Sequence, residues 1–124
     1  MSYLDSLQTG VKLVPRRTLI YGQHGVGKTT WASRWPAPVL LPTEDGYHHV
    51  DVASGKKLES ATELMQAIKD VSESAFKTVI VDSIDWTEML IQAHLDESGC
   101  DQSFGRGYVE IAKKMRKILT ALDH

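Results

Sequence analysis

Eight consecutive residues, Gly22-Gln23-His24-Gly25-Val26-Gly27-Lys28-Thr29, constrain this chain more than any other feature. They fit the pattern G-x-x-x-x-G-K-[ST], a loop in which successive backbone N–H groups face inward and wrap the phosphates of a nucleotide. Each residue type has a mechanical reason to be there. Gly22 releases the preceding segment into the turn, and Gly25 and Gly27 permit backbone angles and close approaches that a Cβ obstructs. Lys28 brings a mobile cation to the β and γ phosphates, and Thr29 offers its hydroxyl to Mg²⁺. His24, Val26 and Thr30 belong to the same nucleotide-binding run; the His24 ring either meets a phosphate or faces solvent. The flanks agree with the motif. Thr18-Leu19-Ile20-Tyr21 is a β-branched and aromatic run that predicts a first strand. Thr29 to Trp35 predicts a helix, stopped by Pro36 and Pro38, whose N-terminus adds a dipole favourable to phosphate.

The remaining chain alternates short strands with amphipathic helices, so the fold class is α/β with a mainly parallel sheet. Val39-Leu40-Leu41 predicts a second strand. Ser60 and Glu63 have capping-box spacing, and Leu64, Ala67, Ile68 and Val71 recur at i, i+3, i+4 and i+7, which predicts a helix from about 61 to 73. Thr78-Val79-Ile80-Val81 is continuously apolar after its threonine, as a strand buried on both faces should be. Asp82, at its end, is placed to hold a water of the Mg²⁺ shell at the C-terminal edge of the sheet, as a metal-site residue with Thr29. Asp85 with Glu88 reads as the cap of a further helix ending near Gly99. After a loop from Cys100 to Gly107, Ile111, Met115, Ile118 and Leu122 mark the buried face of a last helix. Segment 42–58 carries the least signal; His48 to Val52 reads as a small edge strand and Ser54-Gly55-Lys56-Lys57 as a turn.

Composition narrows the function classes. At 124 residues and 42% apolar there is material for one domain, with 1–16 as a lead-in and 17–124 as the core. No apolar run approaches the roughly 18 residues of a membrane span, and no secretory signal is visible, so no membrane partner is expected. A single cysteine, Cys100, read as an inert loop thiol, fits a reducing cytoplasm. The net charge of -2 leaves no global positive field to attract nucleic acid. His48 and His49 would point to opposite faces of a strand and His94 lacks a helical partner, which argues against zinc. Trp31, Trp35 and Trp86 are expected in the core, and Lys113, Lys114, Arg116 and Lys117 as the solvated face of the last helix.

Gly22 to Thr30, the acidic turn Thr43-Glu44-Asp45-Gly46, Val79-Ile80-Val81-Asp82-Ser83 and Phe104-Gly105-Arg106-Gly107-Tyr108 together resemble the RecA-type P-loop ATPases, and within them phage-type AAA/RecA-like nucleotide-binding proteins. The resemblance covers about residues 15 to 122 and implies a three-layer P-loop NTPase core that binds ATP and Mg²⁺. It implies metal contacts from Thr29 and Asp82, and a carboxylate past the second strand that polarises the attacking water. Glu44 sits in that place, although Asp45 beside it has the same chemistry. Members of the family have a further strand, after the last helix, between their first and third strands. This chain reaches His124 before any such strand, which predicts a C-terminally truncated core in which binding survives better than hydrolysis.

Three functions compete on these residues. The first is an Mg²⁺-dependent ATPase of phage or prophage DNA recombination or replication. The second is a P-loop small-molecule kinase, whose sheet would set the first and third strands side by side. The third is a nucleotide-binding module without turnover. In the first, Phe104, Arg106 and Tyr108 are candidate contacts to single-stranded DNA; Arg106 could instead reach the γ phosphate of a neighbouring subunit in a homo-oligomer, and the loop could equally be a helix connection with its aromatics tucked inward.

Overall fold

The computed structural model describes residues 2–11, 14–46, 48–99 and 103–123, and for Phe104 the backbone alone. Cys100 and the Phe104 side chain, both named above, therefore lie outside the described residues. Three parallel strands form one sheet: β1 (Pro38–Pro42), β2 (Ala53–Ser54) and β3 (Thr78–Asp82), in the order β2-β1-β3. Val39 lies opposite both Ala53 and Val79, and Leu41 opposite Val81. Among the described residues four α-helices accompany the sheet: α1 (Lys28–Ala32), α2 (Ala61–Ser72), α3 (Ile84–Glu97) and α4 (Arg106–Leu122).

Parallel strands need long connections, and α2 lies in the one that runs from β2 past the central β1 to β3. Its start follows the sequence closely. The Ser60 hydroxyl accepts from the Glu63 N–H at 3.1 Å, a bond generally worth about 1 kcal/mol. The reciprocal half of the box is displaced by one residue, because the Glu63 carboxylate accepts from the Glu59 N–H at 2.9 Å rather than from Ser60. That bond, helped by Lys56, holds the Glu63 carboxyl below the usual carboxylate range. Leu64 and Ile68 then face inward and meet Leu41, Leu58, Ile91, Leu95 and Ile118. Val79, Ile111, Met115 and Leu122 pack against this cluster. The three longer helices therefore share one core with the strands, along the apolar faces the 3.6-residue period predicts.

Several expectations are corrected. Thr18 to Tyr21 forms no strand: Leu19 is 72% and Tyr21 89% exposed, and the segment pairs with neither β1 nor β3. A strand needs a hydrogen-bonded neighbour, and among the described residues none lies beside this one. The side-by-side arrangement of a kinase-like sheet is accordingly not formed. For the same reason β3, bonded to β1 along one edge, is half-buried throughout rather than enclosed on both faces. The edge strand is Ala53–Ser54, not His48 to Val52, where the chain turns.

The start of α3 falls at Ser83, whose side chain makes no capping bond, while Asp85 lies within the first turn. Trp31 and Trp86 are not core residues. The exposed Trp31 of α1 stands edge-on to the half-buried Trp35 beyond the helix, with ring centroids 5.4 Å apart, and Trp86 lies under the Lys57 ammonium at 6.0 Å. These contacts substitute for burial with local aromatic and cation–π contacts. Finally, α4 begins at Arg106, so Arg106, Gly107 and Tyr108 form a helical turn instead of a loop.

Candidate functional site

The glycine-rich segment has the geometry its sequence demands. Gly25 and Gly27 have φ of 82° and 101°, left-handed values that a side chain would oppose. The turn is closed by the Val26 N–H donating to the Gln23 carbonyl at 3.3 Å. Lys28 enters α1 directly after Gly27 and folds its ammonium back across the loop, donating to the Gly22 carbonyl at 2.7 Å and the Gln23 carbonyl at 3.1 Å. An ammonium carries three donors and no acceptor, so the loop holds its own cation at its centre. His24 and Val26 are exposed, and Thr29 and Thr30 are half-buried. α1 is five residues long, ending well before Trp35.

From that helix the Thr29 hydroxyl donates to Asp82 Oδ2 at 2.7 Å, across 53 residues of sequence. The two residues expected at a metal are thus in contact, one from the end of the phosphate-binding loop and one from the end of β3. The neighbouring strand contributes the third member. Glu44 is the second residue after β1, and its carboxyl lies against Asp82 and the Ser83 side chain, within the field of His24. Asp45 instead turns outward to Lys57, 3.5 Å away. Of the two carboxylates that the sequence leaves equivalent, Glu44 is the one beside Asp82.

Partial burial pushes the Glu44 carboxyl above the usual carboxylate range, the negative Asp82 and a hydrogen bond with it add to the rise, and His24 and Ser83 oppose it. A carboxyl whose pKa is raised on folding contributes stability that is complete below its unfolded value and is lost as pH rises through the folded one. Glu44→Gln, which fixes the neutral form, should therefore melt at a higher temperature than the wild type at pH 7 in metal-free buffer. The two melting curves, followed by circular dichroism, should converge below about pH 4, the range of an unperturbed glutamate. A wild type that stays the more stable at pH 7 would contradict this placement of Glu44.

Beneath these groups lies a set of hydrogen bonds that pattern reading missed. Thr43 and Thr87 are the buried polar residues of the described chain. Thr43 takes the Ser83 N–H on its hydroxyl at 2.8 Å and donates the hydroxyl to the Ser83 carbonyl at 3.1 Å, while its own N–H meets the Asp82 carbonyl at 2.8 Å. The Thr87 hydroxyl donates to the same Ser83 carbonyl at 2.8 Å. The Asp82–Ser83 peptide is cis. Threonines in a polar stretch give no sign of burial, and only the adjacency of Thr43 to Glu44 and of Ser83 to Asp82 hints at their place.

The third sequence cluster is separate in the chain. Arg106 and Tyr108 stand in the first turn of α4, with Tyr108 82% exposed, so its ring is not tucked against the core. None of the described helices is long and apolar enough to cross a membrane. A comparison with known families finds that a model described as AAA domain matches residues 14–124, while no curated protein and no solved structure matches the chain. The matched span contains the glycine-rich loop, the three parallel strands and the Thr29–Asp82 contact, an α/β arrangement compatible with a P-loop NTPase. The chain belongs to the AAA domain family, whose members are P-loop ATPases.

Proposed function

We propose that the chain is an ATP-binding, Mg²⁺-dependent ATPase of the RecA type, working in the cytoplasm in phage or prophage DNA recombination or replication. The observation that carries the nucleotide and metal part is the Thr29 to Asp82 hydrogen bond at 2.7 Å, with the Lys28 ammonium held over the loop next to it. A hydroxyl and a carboxylate are hard oxygen donors of the kind Mg²⁺ prefers, so the residues fit the ion. Bound there, Mg²⁺ would neutralise charge on the phosphates and orient them. Lys28 would exchange its two carbonyl partners for phosphate oxygens, a charge-assisted replacement of neutral acceptors. Glu44, its carboxyl pKa raised above the usual carboxylate range by partial burial, would orient the attacking water and take one of its protons as the water oxygen bonds to the γ phosphorus and the bond to the ADP oxygen breaks, leaving ADP and inorganic phosphate.

That carboxyl favours hydrolysis over transfer to a small-molecule acceptor, because it serves water directly beside the metal residues. The recombination or replication setting rests on the resemblance of the four sequence segments alone. Calorimetric titration with ATP tests the core of the reading. Binding should be strong in Mg²⁺ and markedly weaker in chelator, and Asp82→Asn should shrink the difference between the two to about threefold or less by losing the charge that retains the ion. Equal ATP affinity with and without Mg²⁺ in the wild type would reject the metal assignment.

A further inference from the structure

We propose that Thr43 is a positioning residue whose hydroxyl clasps the turn carrying Glu44 to the peptide carrying Asp82, so that the separation of the two carboxylates is fixed by side-chain hydrogen bonds at Ser83. The inference rests on the reading of Glu44 as the water-orienting group. Its basis is the convergence of both buried polar residues on one backbone unit.

Thr43 is 1% and Thr87 0% exposed, and both hydroxyls bond the Ser83 backbone. Strand pairing alone already reaches this level: β1 and β3 are in register up to Pro42 and Asp82, and the next ladder bond, Thr43 N–H to Asp82 carbonyl, is made at 2.8 Å. Beyond that point the strands end, and α3 departs from Ser83 while the acidic turn departs from Thr43. Nothing in sheet geometry then dictates where Glu44 sits relative to Asp82. The Thr43 hydroxyl supplies the constraint by acting as acceptor to the Ser83 N–H and donor to the Ser83 carbonyl, one side chain satisfying both groups of the residue that follows Asp82. Thr87 ties that carbonyl to α3 as well, through its hydroxyl at 2.8 Å and its N–H at 3.1 Å. A buried N–H left without its acceptor is costly, so the clasp has a strong preference for one geometry.

The test compares Thr43→Val, which keeps the shape and removes the hydroxyl, with Thr43→Ser, which keeps the hydroxyl. Amide exchange at Ser83 in the nucleotide-free protein reads the clasp without any reference to turnover, and steady-state ATP hydrolysis reads its consequence. Thr43→Val should exchange the Ser83 amide about tenfold faster or more, and should lower kcat by about tenfold with KM within about twofold of wild type, since binding groups are untouched. Thr43→Ser should restore both, and Thr87→Val, which removes one of several bonds to the Ser83 carbonyl, should have a smaller effect on exchange. Unchanged Ser83 exchange in Thr43→Val, or failure of Thr43→Ser to rescue, overturns the clasp. Faster exchange with wild-type kcat overturns the positioning role alone. Wild-type turnover in Glu44→Gln overturns the reading of Glu44 instead, with the exchange result unaffected.

Discussion

Lys28→Ala should weaken ATP binding by about a hundredfold or more, the largest effect expected of any single substitution in the loop. The lysine has two functions in the structure. Its ammonium closes the loop through the Gly22 and Gln23 carbonyls, and it is the cation of the glycine-rich run. Charge-assisted hydrogen bonds contribute roughly 1.5–3 kcal/mol each, so losing one or two bonds to phosphate corresponds to about one to four powers of ten in affinity. An alternative in which the lysine merely braces the turn predicts a different outcome, because Lys28→Ala would then lower thermal stability and leave the dissociation constant near wild type. Calorimetry with ATP and Mg²⁺, beside a melting curve of the same variant, separates the two. An unchanged dissociation constant would remove the phosphate-binding role from this loop.

What the sequence could and could not reveal divides along physical lines. The glycine-rich loop was legible because left-handed backbone at Gly25 and Gly27 and a lysine at a fixed place in the pattern leave a residue-level signature. α2 and the buried face of α4 were legible because burial along a helix imposes a period, as Leu64, Ile68 and Ile118 show. The Thr18 to Tyr21 run has the composition of a strand, yet pairing is a property of the neighbour and not of the segment, and here Leu19 and Tyr21 lie exposed. Trp31 and Trp86 misled for a related reason. An aromatic ring satisfied by another ring or by an ammonium has the same sequence signal as one in a core. The Thr43 and Thr87 hydroxyls carried no signal, because their significance arises only where β1, β3 and α3 meet.

Glu44→Gln should leave ATP affinity within about threefold of wild type while lowering the rate of phosphate release by about a hundredfold or more, the range expected when a positioned general base is lost. The amide preserves the volume beside Asp82 and can still donate or accept hydrogen bonds, so the pocket keeps its shape. It has no charge and almost no basicity, so it can neither take a proton from water nor hold that water as tightly. Asp45→Asn is the internal control. Asp45 faces Lys57 at 3.5 Å on the exposed side of the turn, and an exposed pair of this kind contributes little, so its removal should change turnover by less than about twofold. The contrast between neighbouring carboxylates is what distinguishes a specific role from a general loss of negative charge near the metal residues. If Asp45→Asn proves the slower variant, the water-orienting group lies on the Lys57 side of the turn and the turn must rearrange when nucleotide binds. If both variants turn over like the wild type, hydrolysis by a carboxylate of this turn is excluded.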